Sequence, residues 1–136
     1  MVIDTSALVA ILRAEPDASV FAAAIEIAEI RCVSAVSFVE AAVVVDGSRD
    51  PIASRHFDEF VQMAKLSLEP VTAEQAQIAR EAYRDFGKGS GHPARLNFGD
   101  CFSYALAKAR REPLLFKGRD FAETDVAMVL DPRETR

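Results

Sequence analysis

Four acidic residues stand far apart in the 136-residue chain, each next to the start or end of a patterned segment: Asp4, Glu40, Asp100 and Asp120. Asp4 closes the apolar pair Val2–Ile3, and Asp120 lies just past Leu114–Phe116, within Lys117–Gly118–Arg119–Asp120. Glu40 falls early in the helical segment after the β-prone Ile30–Val33, and Asp100 falls three residues after Asn97 at the head of another. In open parallel sheets, ligands bind at the carboxyl ends of the strands. A helix that follows a strand begins at that edge, and so does a helix that feeds the next strand. All four acids are therefore expected on one rim. Carboxylates crowded there repel and raise one another's pKa, a cost that a divalent cation removes. Oxygen ligands without a Cys or His cluster select magnesium or manganese over zinc.

Each acid also has a plainer role open to it. Asp4 could cap the helix after it, Glu40 closes a Ser37–Phe38–Val39–Glu40 capping box, and Asp100 stands three residues after a plausible Asn97 cap. Singly, Glu40 and Asp100 read better as helix-start acids; their convergence with the other two favours a site.

The elements that must position them follow from periodicity. Ser6–Leu12 is helical after the first strand, and Val20, Phe21, Ala24, Ile25 and Ala28 form an apolar stripe behind Pro16. Ile30–Val33 gives a second strand, followed by a helix over Ser34–Val45 that stops at Asp46–Gly47. Asp50–Pro51 opens a helix whose core face is Ile52, Phe57, Phe60, Val61 and Ala64, and Leu66–Val71 is a third strand. Thr72 and Gln75 have capping-box spacing ahead of Ala79, Ala82, Tyr83 and Phe86. Gly87–Asn97 is the one long loop. A helix from Asn97 turns Phe102, Ala105, Leu106 and Ala109 inward, and Leu114–Phe116 and Val126–Leu130 supply strands four and five. Strands alternating with helices predict a single α/β domain over residues 1–136, three layers deep, with a central, mainly parallel sheet of four to five strands. There is no GxGxxG after the first strand and no GxxxxGK[ST], so dinucleotide and P-loop chemistry have no support.

Half the residues are apolar and 27% are charged, a composition that folds. No apolar run approaches the roughly 20 residues that span a bilayer, so no membrane association is expected. Cys32 and Cys101 fall in apolar segments without metal-binding spacing, and reduced core thiols point to the cytoplasm. The net charge of −5 argues against phosphate binding, but its distribution argues for it. Residues 1–79 hold 5 basic and 12 acidic side chains, whereas residues 80–119 hold 9 basic and 4 acidic. That segment can form a basic face, or Arg80, Arg84, Arg110 and Arg111 are only solvated helix positions.

Val2–Ile3–Asp4–Thr5–Ser6–Ala7, Ser34–Ala35–Val36–Ser37–Phe38–Val39–Glu40, Asn97–Phe98–Gly99–Asp100–Cys101 and Leu114–Leu115–Phe116–Lys117–Gly118–Arg119–Asp120–Phe121 with Thr124–Asp125 resemble, in order, the motifs of PIN-domain VapC toxins. The resemblance implies a ribonuclease held inactive by a VapB antitoxin and acting as a homodimer. By motif matching, Asp4, Glu40, Asp100 and Asp120 form the acidic cluster, with Thr5 or Ser6 as a supporting hydroxyl. Arg119 stands where many relatives carry asparagine, which leaves Asp125 as a contributor instead of or beside Asp120. Asp4, Glu40 and Asp100 are assigned to a first Mg2+ or Mn2+, and Asp120 to a second ion or to the attacking water of RNA hydrolysis. Lys88, Arg95, Lys117 and Arg119 are the candidate RNA phosphate contacts; His92, in the loop, is a weaker substrate contact, and His56 is a surface residue.

A magnesium-binding phosphoryl receiver also places acids at strand ends. It would pair two acids near the end of strand one and carry an acceptor Asp after strand three, where this chain has Glu69–Pro70. A PIN-like scaffold without activity is disfavoured by the completeness of the acidic set.

Overall fold

The computed structural model describes residues 1–134. Four short strands, β1 (Val2–Ile3), β2 (Cys32–Ser34), β3 (Ser67–Glu69) and β4 (Leu114–Leu115), lie parallel in the order β3-β2-β1-β4. Val2 is in register with Cys32 on one side and with Leu114 on the other. Six helices connect them: α1 (Thr5–Leu12), α2 (Ala18–Ile27), α3 (Ala35–Asp46), α4 (Pro51–Met63), α5 (Ala73–Phe86) and α6 (Phe98–Arg110).

Strand alternation divides the interior in two. Val2, Cys32 and Leu114 pack with α5 and α6, whereas Ile3, Val33 and Leu115 pack with α1 to α4. The inner strands β1 and β2, and β4 at one edge, consist wholly of buried residues, as a parallel sheet between helices requires. The three-layer α/β expectation holds. Within it α6 is buried over most of its length, from Cys101 to Ala107 except Phe102.

Local chemistry sets the helix starts. Asp4, Ser34, Asp50 and Thr72 each accept a hydrogen bond from a backbone N–H in the first turn of the helix they precede. At α6, Asn97 and Asp100 make a reciprocal capping box. The Ser37–Glu40 box is not formed, because Ser34 caps α3 three residues earlier and places both residues inside the helix.

Several expectations are corrected by packing. Val126–Leu130 makes only an isolated parallel bridge, Leu114 to Met128, so the sheet has four strands among the described residues. The third strand shrinks to Ser67–Glu69 on the sheet edge, where one side of its backbone is unpaired. Pro16 lies in the turn before α2 rather than in its first turn. Val20, Ile52 and Tyr83, assigned to core stripes, are exposed because each sits at the margin of its helix's buried face. Cys32 and Cys101 are buried free thiols. Among the described residues no helix is long and apolar enough to cross a membrane.

Candidate metal centre at the carboxyl rim

Asp4 leaves β1 at the carboxyl edge and is buried. Both of its oxygens are held: Oδ2 accepts from the Ser6 amide at 3.0 Å and the Ser6 hydroxyl at 2.6 Å, and Oδ1 accepts from the Ser103 hydroxyl at 2.6 Å. Ser103 in turn lies 2.8 Å from the Ser37 hydroxyl, and both serines are fully buried. This chain of hydroxyls ties β1, α3 and α6 together behind the carboxylate. Ser6 Oγ also accepts from the Lys117 amide at 2.9 Å, which joins the ends of β1 and β4.

Glu40 reaches the rim from inside α3. Thr5 Oγ1 sits 3.0 Å from Glu40 Oε1 and 3.1 Å from the Ser37 carbonyl, so a residue beside Asp4 also positions Glu40. Burial pushes the Glu40 carboxyl above its ordinary value, the Thr5 hydroxyl draws it back, and the charge of Asp4 raises it again. The carboxylate lies directly over Gly99, where a Cβ would overlap its oxygens. Glycine in a first helical turn costs up to about 1 kcal/mol relative to alanine. Here it is the one residue that leaves room for Glu40 against α6.

Asp100, next along α6, is the electrostatic centre. Burial pushes its carboxyl up to about 7; the Asn97 amide, 3.0 Å from Oδ2, opposes that, and the charges of Asp4, Glu40 and Asp120 add to it. The other three acids therefore all act on Asp100. Asp120 opens a 3-10 turn (Asp120–Glu123) just beyond β4 and is exposed. Asp125 is engaged elsewhere: it accepts from Tyr104 Oη at 2.5 Å and from Lys108 Nζ at 3.1 Å, which holds its pKa down despite partial burial.

As the side chains stand, no three His, Cys, Asp or Glu groups among the described residues are close enough to enclose an ion. Asp4 is held by the Ser6 amide and hydroxyl and by the Ser103 hydroxyl, and Asp100 turns one oxygen back to Asn97. Asp100 Oδ1 and Glu40 Oε2 accept no hydrogen bond within the described residues, and no buried side-chain oxygen is left unsatisfied, so these two face solvent. The donor set is all oxygen, the chemistry that suits a hard divalent cation, and Gly99 gives Glu40 the room to belong to it.

The expected phosphate contacts divide. Lys117 Nζ is engaged by Glu15 and, at 3.2 Å, by Asp17. Arg119 caps the 3-10 turn through its backbone and projects an exposed side chain. Lys88 and Arg95 sit at the two ends of the loop between α5 and α6, closed where Lys88 N donates to Leu96 O. His92 is taken up structurally: its ring meets Phe86 edge-on and Nδ1 accepts from the Ala94 amide. His56 is exposed.

Ser103 and Gly99 were not singled out by sequence reasoning, and Ser37 only as the start of a capping box. Ser103 lies three residues after Asp100 and thus on its helix face, and Gly99 is an unfavourable residue where no turn needs one; both signals were readable.

Residues 1–127 match the family model described as PIN domain. The chain belongs to the PIN-domain family. It is 56% identical over 133 residues to Ribonuclease VapC28 of Mycobacterium tuberculosis, covering 98% of this chain and all of that protein. Ribonuclease VapC30 of the same organism is 52% identical over 132 residues, covering 97% of this chain and all of its own length. Among solved structures, M. tuberculosis VapC20, a toxin that cleaves the sarcin-ricin loop, superposes with a TM-score of 0.74 at 17% identity over 94% of this chain and 97% of its own.

Proposed function

We propose that this PIN-domain ribonuclease of the VapC toxin class hydrolyses RNA at a Mg2+ or Mn2+ ion held by Asp4, Glu40, Asp100 and Asp120. The observation that carries the metal assignment is the convergence of three other carboxylates on Asp100. A divalent cation there supplies Lewis-acid stabilisation of the charge that develops on the phosphate and eases deprotonation of water.

The chain's own residues do the rest. Asp4 is fixed by Ser6 and Ser103 and presents a rigid carboxylate, while Thr5 sets Glu40 over Gly99. Asp100 brings a carboxyl that gives up its proton readily when positive charge arrives. Asp120, exposed at the mouth, orients water or takes a second ion. Arg119, Lys88 and Arg95 are exposed cations assigned to the RNA phosphates, and Lys117 joins them only by giving up its acidic partners. Asp125 supports the fold through Tyr104 and Lys108.

The relatives' class makes an antitoxin the expected protein partner, of the VapB type, and the active form a homodimer. The test is cleavage of total RNA by the purified protein. Magnesium or manganese should support it and EDTA abolish it; undiminished cleavage in EDTA would refute the metal site.

A further inference from the structure

On the other side of the α6 start from Asp100 lies a second feature that the hydrolytic chemistry does not use. A groove of about 330 Å³ runs between α5 and α6, floored by Ala79 and Cys101 and walled by Tyr83, Phe98 and Phe102, with Arg80 at its edge. Phe98 is the first residue of α6, two residues before Asp100, and it is 72% exposed. Its neighbours all have structural work: Asn97 caps the helix, Gly99 makes room for Glu40, and Asp100 completes the capping box. Neither the cap nor the core uses the Phe98 ring.

The ring is nevertheless held. Phe102 meets it edge-on with centroids 5.0 Å apart, which leaves a face of Phe98 open. The Tyr83 hydroxyl donates to the Lys88 carbonyl at 3.2 Å and is fixed as well. Arg80 is exposed and makes no ion pair among the described residues. Arg80, Tyr83, Phe98, Cys101 and Phe102 of the groove fall within the segment 80–119, which holds 9 basic and 4 acidic side chains. Open aromatic faces beside a free guanidinium, next to the cleavage site, are the chemistry that binds unstacked bases of single-stranded nucleic acid.

We propose that this groove is a nucleobase subsite in which Phe98 stacks on a base flanking the cleaved phosphodiester and Arg80 contacts the adjoining phosphate. The assignment rests on the ribonuclease reading, and it goes further in naming where the strand lies: over α5 and α6, not over the acidic α1 to α4 layer.

The chain contains no tryptophan, so Phe98→Trp creates a single fluorescent reporter that can still stack. In EDTA, a short random-sequence oligoribonucleotide should quench its emission, and the same sugar-phosphate backbone without bases should not. Phe98→Leu, which keeps an apolar side chain at an exposed position, should melt like wild type and bind the labelled oligonucleotide roughly 5- to 150-fold more weakly, the range for loss of one base–aromatic stack. Equal quenching by the baseless strand, or none by RNA, overturns the subsite. Quenching that grows with protein concentration alone would put a second copy of the chain on the groove and also overturn it. Cleavage of total RNA in manganese reports separately: intact cleavage without quenching sinks the subsite alone, and quenching without cleavage sinks the nuclease reading alone.

Discussion

The two helical layers of this protein differ in what they do for the site. The α1 to α4 layer is acidic and leaves Val39, Val43, Ile52 and Met63 to solvent on its outer helices, whereas the α5 and α6 layer carries the basic segment and exposes aromatic Tyr83 and Phe98. Glu40 comes from the first layer, Asp100 from the second, and Asp4 from the junction of β1 and α1 between them. Neither layer holds a complete acidic set. The proposed centre lies where the layers meet, and Ser37, Ser103 and Thr5 are the hydroxyls that fix that seam.

The largest test removes one layer's contribution to the seam. Asp100→Asn and Asp4→Asn should each lower RNA cleavage by about a thousandfold or more, since each takes away charge on which the reaction depends. Growth arrest on expression of the wild-type chain should disappear in the same variants. Retention of cleavage in Asp100→Asn would mean that α6 does not complete the site.

Pressing the layers apart should do nearly as much. Gly99→Ala forces a methyl group into the Glu40 carboxylate, and a displacement of about 1 Å at a reacting group costs on the order of a hundredfold in rate. Because the displaced atoms are the far end of a flexible side chain and alanine favours the helix, stability should change by less than about 1 kcal/mol, read from denaturant unfolding. Full activity in this variant would show that Glu40 is free to move.

A third test concerns the repulsion across the seam. In EDTA the folded protein holds the Asp100 proton up to about pH 7, whereas the unfolded chain releases it near 3.9. Between those values the folded state binds more protons, so stability falls as pH rises through the window and levels off above it. Melting temperature in EDTA should drop from about pH 5 to about pH 8. Asp100→Asn should flatten that slope while keeping the acceptor for the Asn97 amide. Saturating manganese should stabilise the wild type by about 2.7 kcal/mol at a hundredfold excess over its Kd, and the variant less. An unchanged slope and metal response would return Asp100 to a helix cap.

The smallest effect is expected away from the seam. Lys117→Met breaks exposed pairs with Glu15 and Asp17 and should change stability by less than about 1 kcal/mol.

Much of this was legible along the chain because it is local. The helix starts at Asp50, Thr72 and Asn97 are written in capping chemistry, and the parallel α/β class follows from strands alternating with helices. Where side chains had to choose between core and solvent at a helix margin, as at Val20 and Ile52, periodicity could not decide, because burial depends on which neighbour arrives. The same holds for Val126–Leu130, whose β-prone pattern ends as one bridge beside β4.

The sequence by itself determined which residues could serve: four carboxylates at element ends, no competing Cys or His cluster, and a basic segment beside them. Only the tertiary structure decided how they are used. It engaged Asp125 with Tyr104 and Lys108, put Glu40 over Gly99, gave Asp4 its hydroxyl donor Ser103 from 99 residues away, and set Asp100 within the field of the other three acids. The division has a physical cause. Capping and strand pattern act within a few residues, whereas repulsion between carboxylates and contact across a seam depend on distances that only the packed layers fix.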